Sequence, residues 1–428
     1  MRVETKSLYM HAMQNVPYYA SHRAGGLADL PPLCKSEVVQ SPNDFLAGDY
    51  LLYPKKEHVV IRRAVGASGK ALKVHWDARE EEQADAAVRR LRQEWYGVLP
   101  DDSYCYFFTS EYHQNTLVYE AHDVLRDKDG SSLGFAMRNL TPARLCEIVE
   151  EMRAFDPVWL SLTPPVAALL ADVIRDGGLP ALPRLRYVEL TGEMSDAATR
   201  AALSEVFSCP IGNLYAATET GGIALACPAG HLHILEENVI VEISREGQPA
   251  PDGAAGDVIL TSRLNYAMPL LRYQIGDRGS VTRETCACGH SAPTLQLTAA
   301  RRNDFITLPS GGRVAADVFL YAITYINERI GPVIRQFRIR QTGVAPLAFA
   351  VTLALYPPYK GWKDTIQELF TANLCEESLR DAAFSFEFRD ALPPDDPARV
   401  GYFLDETKDD SAQPDCFQNE AREGAAHE

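Results

Sequence analysis

From about Glu80 to Glu94, Ala, Val and Leu recur at helical spacing among Glu, Arg and Gln, which predicts a helix with one buried face. A second helix is predicted over 140–155, where Thr141 caps, Pro142 occupies the first turn and apolar residues stand three and four apart. The apolar VWLSL that follows predicts a buried strand. Helix and strand then keep alternating. PPVAALLADVIRDGG predicts a helix ending on glycines suited to a left-handed cap, RLRYVELTGE a strand running into a loop, ATRAALSEVF a helix, and IGNLYAATETGG a strand breaking into a Gly/Thr loop. This alternation implies an α/β sheet, with ligands at the C-terminal ends of its strands.

At Glu236 the periodicity changes. Strands at VIVEI, DVILTS and Met268 to Tyr273, separated by Pro, Gly and Asp turns, predict a small antiparallel sheet or barrel attached to the first domain. Past Asp304 the order is helix AADVFLYAITYINERI, strand VIRQFRIR, strand APLAFAVTLAL, helix DTIQELFTANLCEESLR and strand FSFEFRD, which fits a small α+β lid domain. The expected boundaries are 1–303 for the large domain, 304–404 for the lid and 405–428 for an acid-rich tail expected to be disordered.

A chain of 428 residues with 46% apolar and 23% charged residues has ordinary globular composition, which excludes a disordered chain, a collagen and a small disulfide scaffold. The net charge of −16 and the lack of a basic run make nucleic acid and anionic membrane poor partners, leaving a small molecule or a protein. MRVETKSLYMHAMQ lacks a signal peptide's apolar core, and no apolar run approaches the roughly 18 residues of a membrane span. Nine cysteines, most of them isolated in sequence, argue against a disulfide framework, so a cytoplasmic location is expected.

Four constellations carry chemistry. In YAATET, Thr218 and Glu219 put a hydroxyl beside a carboxylate at a strand end, where they can hydrogen-bond a phosphate and hold a hard cation, although most such pairs are surface or cap residues. In LLRYQIGDRG, Asp277 on a Gly turn after a buried strand can bind vicinal hydroxyls or merely close an Asx-turn. The loop VGASGKALKV, with Gly66, Ser68, Gly69 and Lys70, can cradle phosphates, yet it departs from the P-loop pattern. Cys227, His231, His233, Cys286 and Cys288 supply thiols and imidazoles for a Cys₃His zinc site. Cys105 among aromatic residues reads as core, while His113 with Thr109, Ser110 and Glu111 reads as a solvated loop or as lining of an acyl pocket.

In this order and at these separations, the segments resemble the adenylate-forming superfamily, and within it the phenylacetate-CoA ligase group. The group's motifs correspond here to VGASGK, Thr191-Gly192-Glu193, YAATE, Arg272-Tyr273-Gln274-Ile275-Gly276-Asp277 and Ala300-Arg301-Arg302-Asn303-Asp304; NVPYY resembles its opening, so the likeness runs from about 10 to 340. The resemblance implies a large α/β nucleotide domain with a strand-rich insert and a small α+β lid. It also implies an enzyme that activates a small carboxylic acid with ATP and Mg²⁺ as an acyl-adenylate, then transfers it to CoA, a carrier-protein thiol or an amine. Thr218 would contact the α-phosphate, Glu219 would hold Mg²⁺ and Asp277 the ribose. Gly192, Glu193 and Tyr215 would border the adenine, Arg301 would lie near the ribose, and Asn303 with Asp304 would form the lid's pivot. The same likeness favours His233 over His231 as ligand to a structural zinc. A homodimer and a role in a specialised pathway are further expectations.

The chain departs from the group at definite positions. Val65, Ala67 and Ala71 replace hydroxyls and Pro in the phosphate loop, Ala216 and Ala300 replace glycines, and Arg399 stands near the place of the group's lid lysine, with no lysine until Lys408. These losses support a rival reading, a non-catalytic or partner-dependent protein that binds nucleotide or acid; retained Thr218, Glu219 and Asp277 oppose it.

Overall fold

The structure is a computed structural model. It describes residues 3–22, 25–48, 58–65, 71–108, 112–113, 116–117, 124–137, 140–178, 182–192, 195, 197–245, 247–299, 305–310, 313–331, 333–374, 377–390, 392 and 403–405. The chain divides into two compact units, one of 1–64 with 71–300 and one of 301–428 with 65–70.

Unit 1 opens with α1 (Val3–Asn15), α2 (Pro17–Ala20), β1 (Leu33–Cys34) and α3 (Lys35–Gln40); a hairpin of β2 (Val59–Val65) and β3 (Ala71–Asp77) then leads into α4 (Ala78–Tyr96). Asp77 caps α4 by accepting from Arg79 N at 2.9 Å, and Gly97, at φ 67°, ends it. Its periodic apolar residues Ala84, Ala87, Val88 and Leu91 are buried, as their spacing predicts.

Next come β4 (Tyr104–Phe108), β5 (Tyr112–His113), β6 (Thr116–Leu117), β7 (Val124–Arg126), β8 (Ser132–Ala136), α5 (Pro142–Phe155), β9 (Trp159–Leu162), α6 (Pro164–Asp176), β10 (Tyr187–Thr191), α7 (Ala197–Phe207) and β11 (Ile211–Ala217). Thr141 caps α5 as expected. At the end of α6 the left-handed residue is Gly178, at φ 59°, while Gly177 stays right-handed. β8, β4, β9, β10 and β11 pair in parallel, the topology that helix–strand alternation implies.

The strand-rich segment holds β12 (Gly221–Ala226), β13 (Leu232–Ile234), β14 (Val239–Arg245), β15 (Gln248–Pro249), β16 (Gly256–Ser262), β17 (Tyr273–Thr282) and β18 (Thr294–Ala299). Instead of a separate sheet or barrel, these strands continue the parallel one, in the order β15-β14-β16-β17-β18-β13-β12-β11-β10-β9-β4-β8-β7, with β1 beside β17. β12 makes the join by pairing antiparallel to β11. Met268 to Arg272, expected as strand, is loop. Its N–H groups go to side chains: Met268 N to Asn265 Oδ1 at 2.9 Å, Leu271 N to Tyr19 Oη at 2.9 Å and Arg272 N to Thr261 Oγ1 at 3.0 Å.

Unit 2 comprises β19 (Phe305–Thr307), β20 (Arg313–Ala315), α8 (Asp317–Ile330), β21 (Ile334–Val344), β22 (Leu347–Leu355), α9 (Lys363–Ala372), β23 (Ala383–Arg389) and β24 (Phe403–Asp405). A four-stranded sheet, β23-β22-β21-β24, packs around Phe319, Phe349, Leu353 and Phe370. Buried Gln341 pins β19 by accepting from Thr307 N at 3.0 Å and donating to Thr307 O at 2.7 Å. The tail beyond Asp405 lies outside the described residues.

Candidate functional site

The β11–β12 hairpin turns through Thr218, Glu219 and Thr220, and Trp76 of β3 braces the turn by donating from Nε1 to Thr218 O at 3.1 Å. Glu219 is 5% exposed. Its Oε1 accepts from Tyr273 Oη at 2.9 Å and faces Lys35 Nζ at 3.4 Å, while Oε2 takes no hydrogen bond among the described residues. One oxygen is therefore held and the other left to a ligand, an arrangement suited to a hard cation.

Lys35 reaches Glu219 through a chain of local causes. The Arg272 guanidinium donates to Ala28 O and Leu30 O at 3.1 and 2.5 Å, and Leu33 N donates to Arg272 O at 2.8 Å. β1 is thereby laid parallel to β17, with Leu33 opposite Tyr273. Cys34 N donates to Glu37 Oε2 at 2.8 Å, closing a capping box, and Lys35 begins α3 beside Glu219. No spacing rule relates two residues 184 positions apart, which is why sequence reasoning missed Lys35. The Arg272 of the Arg-Tyr-x-x-Gly-Asp segment is a clamp on the N-terminal segment, held at φ 51°.

Tyr215 Oη donates to Asp277 Oδ2 at 2.7 Å, joining two motifs 62 residues apart. Asp277 lies within β17 rather than on a turn after a strand, and Gly276 beside it, at φ 92°, supplies the kink. Gly192, exposed at the end of β10, adopts φ 84°. Gly66, Ser68, Gly69, Lys70, Glu193, Arg301, Asn303, Asp304, Arg399 and Lys408 lie outside the described residues, as do Thr109, Ser110 and Glu111; His113 is on β5. Cys105 is fully buried.

A second cluster gathers Cys227 at the end of β12, His233 on β13, and Cys286 and Cys288 in the turn between β17 and β18. Their ligand atoms all lie within 4.8 Å of one another. Cys227 Sγ and Cys286 Sγ are 3.9 Å apart, close to the roughly 3.8 Å that two thiolates about 2.3 Å from a tetrahedral zinc would show. His233 Nδ1 donates to Ala292 O at 2.9 Å, which leaves Nε2, 3.2 Å from Cys288 Sγ, as the ligating nitrogen. Exposed His231 sits outside this set, its Nδ1 3.2 Å from Cys286 Sγ. The Cys288 N–H holds the Cys286 thiol well below the usual thiol range, whereas burial pushes the Cys227 thiol up.

No family model matches the chain. It is 30% identical over 161 residues to the phenylacetate-coenzyme A ligase of Thermus thermophilus, a match spanning 36% of each chain. Its structure superposes on 2-hydroxyisobutyryl-CoA ligase in complex with 2-HIB-AMP and CoA at a TM-score of 0.62 and 16% identity, covering 94% of this chain and 89% of that one. The same ligase in its postadenylation state with R3-HIB-AMP gives 0.57 at 16% identity, over 94% and 88%. The chain therefore shares the fold of this ligase.

Within this fold, Ala216 departs from the motif's glycine without strain. It lies on β11, and the non-glycine residues at positive φ among the described residues are Asp156, Ser208 and Arg272. Glycine is needed instead at Gly222, where a Cβ would come within 2.6 Å of Val88 Cγ2 on α4. No helix among the described residues is long and apolar enough to cross a membrane.

Proposed function

We propose that the chain activates a small carboxylic acid, aryl or amino, with ATP as its acyl-adenylate and passes the acyl group to CoA. A carrier-protein thiol or an amine would accept by the same chemistry. A carboxylate oxygen attacks the α-phosphorus and pyrophosphate leaves; the acceptor then attacks the acyl carbon and AMP leaves. The observation that carries this reading is the convergence of Thr218, Glu219 and Tyr215 of the β11–β12 hairpin with Asp277 of β17.

The residues divide the work. Thr218, its backbone held by Trp76, offers a hydroxyl to the α-phosphate. Glu219 offers Oε2 to Mg²⁺ while Tyr273 and Lys35 keep Oε1 in place. Asp277, oriented by Tyr215, takes the ribose hydroxyls. Mg²⁺, when bound, neutralises charge on the phosphates. The three thiols and imidazole of the second cluster are the donor set of a closed zinc site, which would tie the β12–β13 segment to the β17–β18 turn without an open catalytic position.

Acid-dependent ATP–pyrophosphate exchange tests the reading. Glu219→Gln should lower exchange by about 10²–10³-fold while leaving the circular dichroism spectrum intact; wild-type exchange in that variant would defeat the assignment. The replacement of the group's lid lysine by Arg399 favours a second reading, nucleotide binding without chemistry. ATP binding by calorimetry with no exchange for any acid would establish it.

A further inference from the structure

We propose that the acid is aromatic, that its ring carries a hydroxyl, carbonyl or amide substituent, and that Arg92, Ser161 and Tyr106 read that substituent. This rests on the adenylation reading and specifies its substrate class.

A cavity of about 540 Å³ lies between α4 and one face of the parallel strands. Ala216 and Gly221, which precede and follow the turn bearing Thr218 and Glu219, both line it. A carboxylate at Thr218 would therefore extend its tail into this space. The period-two alternation of β4 and β9 puts Tyr104, Tyr106, Trp159 and Ser161 on its wall. Tyr104 and Trp159 stack face to face at 4.5 Å, so the two rings turn their edges to the cavity, where an aromatic ring can pack edge-to-face. The volume falls in the range of small-molecule sites.

The polar groups on that wall decide the ring's substitution. Arg92 donates from Nε and Nη2 to the two oxygens of Glu189 at 3.0 and 2.8 Å, and its guanidinium lies 4.2 Å from the centre of Trp159. Its Nη1 makes no hydrogen bond among the described residues, and neither do Ser161 Oγ and Tyr106 Oη. All three residues line the cavity. Burial pushes the Tyr106 phenol up to about 12, so its hydroxyl stays protonated at neutral pH. Glu189 neutralises Arg92, and Asp85 and Asp102 on the same lining offset Arg89, which makes the remaining donor a better match for a neutral oxygen than for a second carboxylate. An unsubstituted ring would strip water from these three groups and return no hydrogen bond. Sites of that kind discriminate strongly against the analogue lacking the polar group.

The experiment is pyrophosphate exchange by the full chain with benzoate, phenylacetate and cinnamate, each against ring-hydroxylated, acetyl and carboxamide counterparts. The best substituted acid should exceed its parent in kcat/KM by about 50-fold or more, and Tyr106→Phe or Ser161→Ala should cut that ratio at least about tenfold. Parent acids or aliphatic acids turning over as well as substituted ones would overturn the proposal, as would a ratio unmoved in both variants. No exchange with any acid would bring down the adenylation reading itself. Trp159 fluorescence would then judge the cavity: quenching by substituted acids alone, lost in Trp159→Phe, keeps its preference, and equal or no quenching overturns it.

Discussion

Glu219 shows what a single residue contributes and what its neighbours add. Its buried carboxylate is divided into an oxygen held by Tyr273 and Lys35 and an oxygen without a protein partner among the described residues. The Thr-Glu pair is legible in sequence, but most such pairs are surface or cap residues. Lys35 was not legible, because its position follows from the β1–β17 pairing. A quarter-exposed ammonium beside the proposed phosphate site should matter electrostatically. Lys35→Met should lower the kcat of exchange by about 10–100-fold and alter its Mg²⁺ dependence, with Lys35→Arg recovering part of the loss. An unchanged Mg²⁺ titration in Lys35→Met would reduce Lys35 to a surface ion pair.

Elements were legible where one physical signal dominated. The helix over Glu80–Glu94 extends to Ala78–Tyr96 because Asp77 and Gly97 set its ends. Met268 to Arg272 misled because an apolar run does not reveal that Asn265, Thr261 and Tyr19 take up its N–H groups. The first turn of α4 holds the same loop, through Glu80 Oε2 accepting from Tyr266 N at 3.0 Å. Burial pushes the Glu80 carboxyl up to about 7, above its ordinary value of 4.5. A folded pKa above the unfolded one favours the native state most below about 4.5, and that contribution is lost as pH rises through about 7. Between pH 5 and 8 the wild type should therefore lose more thermal stability than Glu80→Gln does. Parallel Tm–pH curves would refute this.

Across the molecule, the antiparallel strands extend the parallel sheet, and the Cys/His cluster gathers side chains from the β12–β13 segment and the β17–β18 turn. If that cluster holds zinc, purified protein should contain about one equivalent, and chelation should lower Tm by about 5–10 °C, since a structural zinc adds directly to folding free energy. Less than half an equivalent, or an unchanged Tm after stripping, would defeat the assignment. Local chemistry was enough to determine, from the sequence by itself, the alternating helices and strands and the thiol and imidazole donors, because periodicity, capping and side-chain type act over a few residues, whereas Thr218, Glu219 and Asp277 stood out only through the order of motifs that resemble a known group. Only the tertiary structure decided that β12 carries one sheet into the other, that Lys35 meets Glu219, that Tyr215 meets Asp277, and that Arg92, Ser161 and Tyr106 share one cavity. Those contacts join residues far apart in the chain, and their positions depend on packing and strand register, which no local pattern encodes.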